Sequence, residues 1–245
     1  MSSASLPVRR WILCAAGSVA LVLATAGASA TPAPSAAARA AATPAPVAGS
    51  AEWRFEVQLD GKPVGEHRFT LSPLVSSNSN GNGNERRLVS VASFDVKLLG
   101  ITVYRYRHEA RERWQGDCLA ELDARTDANG KVSTVKAQLD GQSLLVTSPA
   151  GTAPLPACSM TFAYWNPAMR RQTQLLNPQT GRGVAVQLVP VGTGMVEVRG
   201  TPVAAEHWRL TGDESPIELW YAPGSGDWLA LDATVNGRRL SYRLR

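Results

Sequence analysis

The first residues to weigh for chemistry are three histidines, His67, His108 and His207. Three imidazoles meeting in a barrel could bind zinc. Each lies on a separate stretch of alternating sequence, however, and no spacing forces them together, so no metal site is expected. His108 sits in Tyr104-x-Tyr106-x-His108. With a nearby tyrosine or carboxylate it could act as the base of a hydrolase or isomerase. Glu56, Glu66, Asp95, Glu109 and Glu218 read more simply as outward-facing strand residues. No Gly-x-Ser-x-Gly turn, phosphate loop or dinucleotide fingerprint is present, so no cofactor is expected. The most unusual local chemistry is Tyr164-Trp165-Asn166-Pro167. On one reading the two aromatics plug an end of a sheet and Asn166 caps a helix. On the other they form a pocket wall beside Tyr104, Tyr106 and His108, and those six residues are a ligand-binding set. Arg170 and Arg171 could hold an anionic head group, but read more simply as solvated.

The elements that must position these residues begin after an export signal. Arg9 and Arg10 precede an apolar run from Trp11 to Ala26, and Ala28-Ser29-Ala30 is a small-x-small cleavage site. A retained anchor is the alternative, since the run is nearly long enough to span. No other stretch could span a bilayer. The expected location is periplasmic or secreted. Cleavage removes two arginines and no acid, leaving a mildly basic chain without a Lys/Arg block. This charge pattern gives no nucleic-acid footprint. Residues 31–50 are an Ala/Pro-rich tether that cannot bury a core. Residues 51–245 are expected to form a single antiparallel β domain. Cys14 leaves with the signal, and Cys118 and Cys158 remain. An even count in an exported chain favours a disulfide. Two free buried thiols are the alternative, and neither cysteine has a second ligand at zinc spacing.

Trp53, Phe55, Val57 and Leu59 alternate, turn at Asp60-Gly61, and return through His67, Phe69 and Leu71. The polar run 76–84 is a loop, and Arg87 to Val96 is a third strand. Ile101 to Trp114 is the longest alternating run, with Tyr104, Tyr106, His108, Ala110 and Trp114 on one face. Arg105, Arg107, Glu109, Arg111 and Arg113 are on the other, solvated and stapled by cross-strand carboxylates, or else an anion-binding stripe. Cys118 to Arg125, Lys131 to Leu139 and Ser143 to Thr147 are further strands, and Pro149 to Pro156 a loop. Ala168 to Leu176 is a short helix stopped by Asn177-Pro178. Strands are expected at Val184 to Val189, Met195 to Val198 and Val203 to Leu210. A closing meander carries Ile217, Leu219 and Tyr221, then Leu229 to Val235, then Leu240 to Leu244. The class is mainly β: a curved antiparallel sheet, half-barrel or barrel, of about ten strands with one short inserted helix.

Cys158, Tyr164-Trp165-Asn166 and Leu175-Leu176-Asn177-x-x-Thr180-Gly181 resemble the central motif of an uncharacterised domain-of-unknown-function family of exported bacterial β-rich proteins. The Phe55 to Phe69 hairpin, with Gly61 and Gly65, and Leu219-Trp220-Tyr221 with Trp228-Leu229 are similar to the same group. The resemblance covers about residues 52–245. More distantly, the closing pattern is similar to periplasmic lipoprotein-carrier half-barrels, whose curved sheet wraps a helical plug. That likeness implies an apolar cavity for acyl chains or another lipophilic ligand, and brings no catalytic residue with it. The expected function is therefore non-catalytic binding of a lipophilic or envelope-derived ligand in the concave face. A periplasmic enzyme using His108 and an envelope interaction protein with a packed core are the alternatives.

Overall fold

Period-two alternation governs the chain from Ala51 onward, and nearly all of it becomes strand. The computed structural model describes residues 49–74 and 85–245. The expected signal segment, all but the end of the tether, and the polar loop 76–84 fall outside these residues. Eight strands come first: β1 (Ala51–Leu59), β2 (Lys62–Pro73), β3 (Glu85–Leu98), β4 (Ile101–Gln115), β5 (Cys118–Ala128), β6 (Lys131–Asp140), β7 (Ser143–Ser148) and β8 (Gly151–Pro156). An insert follows, holding β9 (Met160–Thr161), a 3-10 turn (Pro167–Arg171), β10 (Gln174–Leu176) and β11 (Gly183–Ala185). The chain ends with β12 (Gln187–Val198), β13 (Thr201–Thr211), β14 (Ile217–Tyr221), β15 (Trp228–Val235) and β16 (Arg238–Leu244).

Thirteen of these strands form one antiparallel sheet, ordered β12-β13-β14-β15-β16-β1-β2-β3-β4-β5-β6-β7-β8. The expected count of about ten was too low. The sheet is not closed, and β12 and β8 are its edges. Two of the expected segments also differ in detail. Residues Pro149 to Pro156, expected as a loop, contain β8. Proline cannot donate to a ladder, but an edge strand has one side that needs no donor, so Pro154 and Pro156 fit there. The expected strands Val184 to Val189 and Met195 to Val198 are instead short β11 and a long β12, which runs through an irregularity at Pro190–Gly192.

The expected helix from Ala168 to Leu176 is also corrected. Asn166 caps, its Oδ1 accepting from Ala168 N at 2.9 Å, but the turn is 3-10 and stops at Arg171. Leu175 and Leu176 then pair as strand, parallel to Met160 and Thr161 and antiparallel to Val184 and Gly183. Both leucines are fully buried, and that tertiary burial overrides their helical preference.

The insert fills the hollow of the curled sheet. Met160, Met169, Leu175 and Leu176 share one cluster with Phe55, Trp114, Leu119, Leu144, Tyr221 and Trp228 from the sheet. It also reaches toward both edges. A Cβ on Gly183 would come within 2.9 Å of Leu155 Cδ2 in β8, and Val184 of β11 lies against Gly212, just after β13. At its start it is tied to the β4–β5 turn. Cys158 is disulfide-bonded to Cys118, Leu119 N donates to Ser159 O at 3.0 Å, and Asn166 Nδ2 donates to Asp117 Oδ1 at 3.1 Å. On the other flank the β12–β13 ribbon folds back: Val196 and Ala205 pack with Leu229 and Ala230, and Arg199 N donates to Leu244 O at 2.8 Å.

The disulfide links residues 40 apart. A loop of that length is expected to contribute about 4 kcal/mol by restricting the unfolded chain. The C118S/C158S double variant should lose that amount in urea unfolding at neutral pH. A loss below about 1 kcal/mol would mean that the insert's packing, not the cross-link, holds it in place.

Candidate functional site

β4 organises the interior face. Tyr104, Tyr106, His108, Ala110, Glu112 and Trp114 all point inward and are buried. The intervening arginines point outward, where carboxylates pair with them: Arg107 with Asp95 at 2.8 Å, Arg113 with Glu121 at 2.7 Å, and Arg111 with Glu109. The cross-strand staples expected from the sequence are therefore present in Arg107–Asp95 and Arg113–Glu121, while Arg111–Glu109 lies within β4, and each such surface pair is worth little alone.

Register carries the inward set across the sheet. Phe55, His67, Ala92, His108 and Thr126 lie in one cross-strand row, and Val57, Gly65, Phe94, Tyr106 and Ala128 in the next. The small Ala92 separates the two imidazoles. His67 Nε2 lies 2.7 Å from Ser90 Oγ, and its Nδ1 lies 3.4 Å from the Tyr242 hydroxyl. His108 Nδ1 lies 2.8 Å from Thr126 Oγ1. Phe94 stacks on Tyr106 at 5.2 Å. Tyr104, Tyr106 and Ala92, with Phe94, Val96 and Ala128, form a cluster of their own, apart from the main core. The Tyr104 hydroxyl is buried there with no hydrogen-bond partner.

Burial sets the charge of this belt. It lowers His108 to about 4 and holds His67 well below the ordinary imidazole range, with His108 pushing His67 further down. Burial likewise raises Tyr104, Tyr106 and Tyr242. At neutral pH the belt is therefore polar and uncharged.

The six residues grouped from sequence do not sit together as one wall. Trp165 packs edge-on to Trp114 at 5.4 Å, with Trp53 at 6.3 Å and the Arg86 guanidinium 5.0 Å over its ring. Asn166 is beside it, at the β4–β5 turn. Trp114 is eight residues along β4 from Tyr106, roughly 26 Å of strand. Tyr164 lies between the two regions. Its ring is 5.1 Å from Trp228, and Trp228 packs on Phe55 and Phe69, which stacks on His67. Arg170, expected in solvent, instead lays its guanidinium over Trp208 at 4.7 Å and Tyr221 at 4.2 Å, while Arg171 is exposed.

Sequence reasoning missed Glu112. Its even number places it between Ala110 and Trp114 on the inward face, and that parity was the available signal. It is buried, accepts from Trp114 Nε1 at 2.9 Å and bonds Thr161 of the insert. Burial raises it to about 7, against the pull of those two hydrogen bonds. Tyr242, Ser90 and Thr126 were also missed, because alternation marks them as inward but cannot say what they meet. His207 is elsewhere, stacked on Trp220 at 4.1 Å and 2.6 Å from Glu218 Oε2. Among the described residues no group of three histidines, cysteines or carboxylates could hold a metal. No described helix is long and apolar enough to cross a membrane.

An open antiparallel sheet curled around an insert of its own chain defines a barrel-like β protein. Residues 55–245 match the family described as Domain of unknown function (DUF6134), and the chain belongs to that family. Among solved structures it is similar to the crystal structure of a beta-barrel-like protein of the domain of unknown function DUF1849 from Brucella abortus. That likeness is at 11% identity, covers 79% of this chain and 94% of that one, and has a TM-score of 0.51. At such identity it speaks to the fold alone. No curated protein matches the chain.

The buried groups give stability two opposing pH dependences. Glu112, at about 7 when folded against 4.5 unperturbed, holds its proton longer in the folded state. Its contribution is present below pH 4.5 and lost as pH rises to 7, amounting to about 3 kcal/mol. His67 and His108 act the other way: their contribution is present above pH 6.5 and lost as pH falls, toward about 4 for His108. E112Q keeps an acceptor for Trp114 but removes the first dependence. Its urea midpoint should fall between pH 7 and pH 5 far more steeply than that of the wild type. Parallel profiles would show that Glu112 ionises normally.

Proposed function

We propose that this protein is an exported, periplasmic β-domain that binds a lipophilic or envelope-derived ligand at the concave face of its sheet, without catalysis. The observation that carries this reading is the Tyr104 hydroxyl, buried and unpartnered in an aromatic cluster that stands apart from the main core. A buried hydroxyl without a partner is costly, and a polar atom of a bound amphiphile would satisfy it. The stacked Phe94 and Tyr106 offer apolar contact beside it, and the neutral His67, His108 and Tyr242 favour an uncharged ester, amide or hydroxyl over an ionised group. On this reading Trp165 and Asn166 hold the insert in place, and Tyr104, Tyr106 and His108 meet the ligand. The Cys118–Cys158 disulfide and the signal-like start support an oxidising, exported compartment.

The hydrolase alternative has less behind it. The hydrogen-bond partner of His108 is the Thr126 hydroxyl, whereas the histidine–carboxylate contact, His207 with Glu218, is remote from the belt.

The test uses the chain from Thr31 onward, which holds every described residue. Native mass spectrometry before and after organic extraction should release an apolar mass, and the extracted protein should bind the neutral probe N-phenyl-1-naphthylamine. Y106A should weaken probe binding at least about tenfold through lost apolar contact. Y104F should weaken the extracted native ligand about fivefold, through loss of one hydrogen bond. Equal probe binding by wild type and Y106A would sink the proposal.

A further inference from the structure

The β3–β4 hairpin ends in Lys97-Leu98-Leu99-Gly100-Ile101. Leu98 is 62% exposed, Leu99 94% and Ile101 70%. Three large apolar side chains on one point already ask for an explanation. The backbone sharpens the question. Leu99 has φ +50° and Gly100 φ +83°, a left-handed pair that suits a tight hairpin. Other hairpins of the sheet make the same pair, three of them with Asp60-Gly61, Asn129-Gly130 and Asn236-Gly237 and one with Arg199-Gly200. Aspartate and asparagine tolerate that conformation better than leucine, for which it is strained. At this one tip the chain places a leucine where an asparagine would be both more stable and more soluble. A residue that opposes its local conformation and faces solvent points to a role outside the fold.

The surroundings indicate what the tip meets. Because strands alternate in direction, the β1–β2, β5–β6 and β15–β16 turns lie at the same end of the sheet. They bring Lys62, Lys131, Arg238 and Arg239 toward Lys97 and Arg105 of the tip hairpin. The nearby acids are engaged: Asp60 with Arg238 at 2.7 Å, Asp95 with Arg105 and Arg107, and Asp127 accepting from Gly130 N. Asp213 and Glu214 lie at that end too, in the β13–β14 loop five strands from β3, with Asp213 paired to Arg182. Beside the tip is a hollow of about 370 Å³ whose lining includes Lys62, Lys97 and Arg238 as well as Asp95. The tip is too narrow for a stable protein interface, which takes roughly 800 Å² per partner. Apolar side chains at a point, ringed by cations, instead match the boundary between anionic head groups and acyl chains.

We propose that the β3–β4 tip is a membrane-surface anchor. It sets Leu98, Leu99 and Ile101 into the outer acyl region of an anionic bilayer, while Lys62, Lys97 and Arg238 hold lipid phosphates. This goes beyond ligand binding and does not depend on it. Tyr104, the inward residue of β4 nearest the tip, then sits close to the lipid surface.

Leu99→Asn gives a test in which the fold is kept, since it installs the residue that this turn favours. The chain from Thr31 is sedimented with phosphatidylcholine vesicles and with vesicles that also contain phosphatidylglycerol. The wild type should bind the anionic vesicles more tightly, and less so as salt rises. L99N should lower that partition at least about tenfold while its thermal midpoint holds or rises. K62E/K97E should weaken binding to the anionic vesicles selectively. Three results overturn the proposal: no wild-type binding to anionic vesicles, equal binding by L99N, or a wild-type dimer that L99N dissociates, which would seat a second copy on the tip. Probe titration in lipid-free solution reads the ligand site separately, so the two ideas can fail independently.

Discussion

A sheet of thirteen strands that does not close on itself must cover its concave face with something. In a closed barrel, strand pairing removes the edges and side chains fill the interior. Here β12 and β8 remain edges, and the residues between them in the chain supply the filling. The insert therefore replaces closure. Its cross-link to β5, its Asn166–Asp117 hydrogen bond and its Trp165–Trp114 contact all fasten it to the β4–β5 turn. Leu175, Leu176 and Met160 of the insert are fully buried in the same core as the sheet residues Phe55, Trp114 and Trp228.

With the insert seated, the interior has two chemistries along β4. From Ala110 to Trp114 the surroundings are dense and apolar, and they force the single carboxyl of Glu112 toward its neutral form. From Tyr104 to His108 the face is aromatic and polar, yet burial keeps it uncharged. The same desolvation acts in both regions. It yields a neutral carboxyl in one and a polar, uncharged aromatic face in the other.

Much of this was legible in the sequence because period-two alternation is a strong signal. The β4 faces, the first hairpin, the closing meander and the cysteine pairing all came from spacing or parity. The resemblance carried by Tyr164-Trp165-Asn166 and Leu175-Leu176-Asn177 led to the right kind of family, one without a known activity. The misreadings arose where tertiary context decides. Prolines hid β8, because edge position cannot be seen in a sequence. Leu175 and Leu176 looked helical until strand partners were available on both sides. Arg170 looked solvated because nothing local announces Trp208 and Tyr221. Tyr164-Trp165-Asn166 and Tyr104-x-Tyr106-x-His108 were grouped by chemical character, and only the register of β4 shows how much strand lies between them.

The first and last strands of the fold meet in the middle of the sheet. Phe55 pairs with Leu244, and Arg245 N donates to Arg54 O at 2.8 Å. Every other ladder in the large sheet joins strands that are consecutive in the sheet's own sequence, apart from the insert's excursion between β8 and β12. The polypeptide can thus zip two half-sheets from local turns, β1 to β8 and β12 to β16, at small loop-closure cost. The seam between them unites residues from opposite ends of the domain. A chain emerging amino-terminus first holds β1 with one side unpaired until β16 has been made, so the completed curl waits for a strand nearly two hundred residues away.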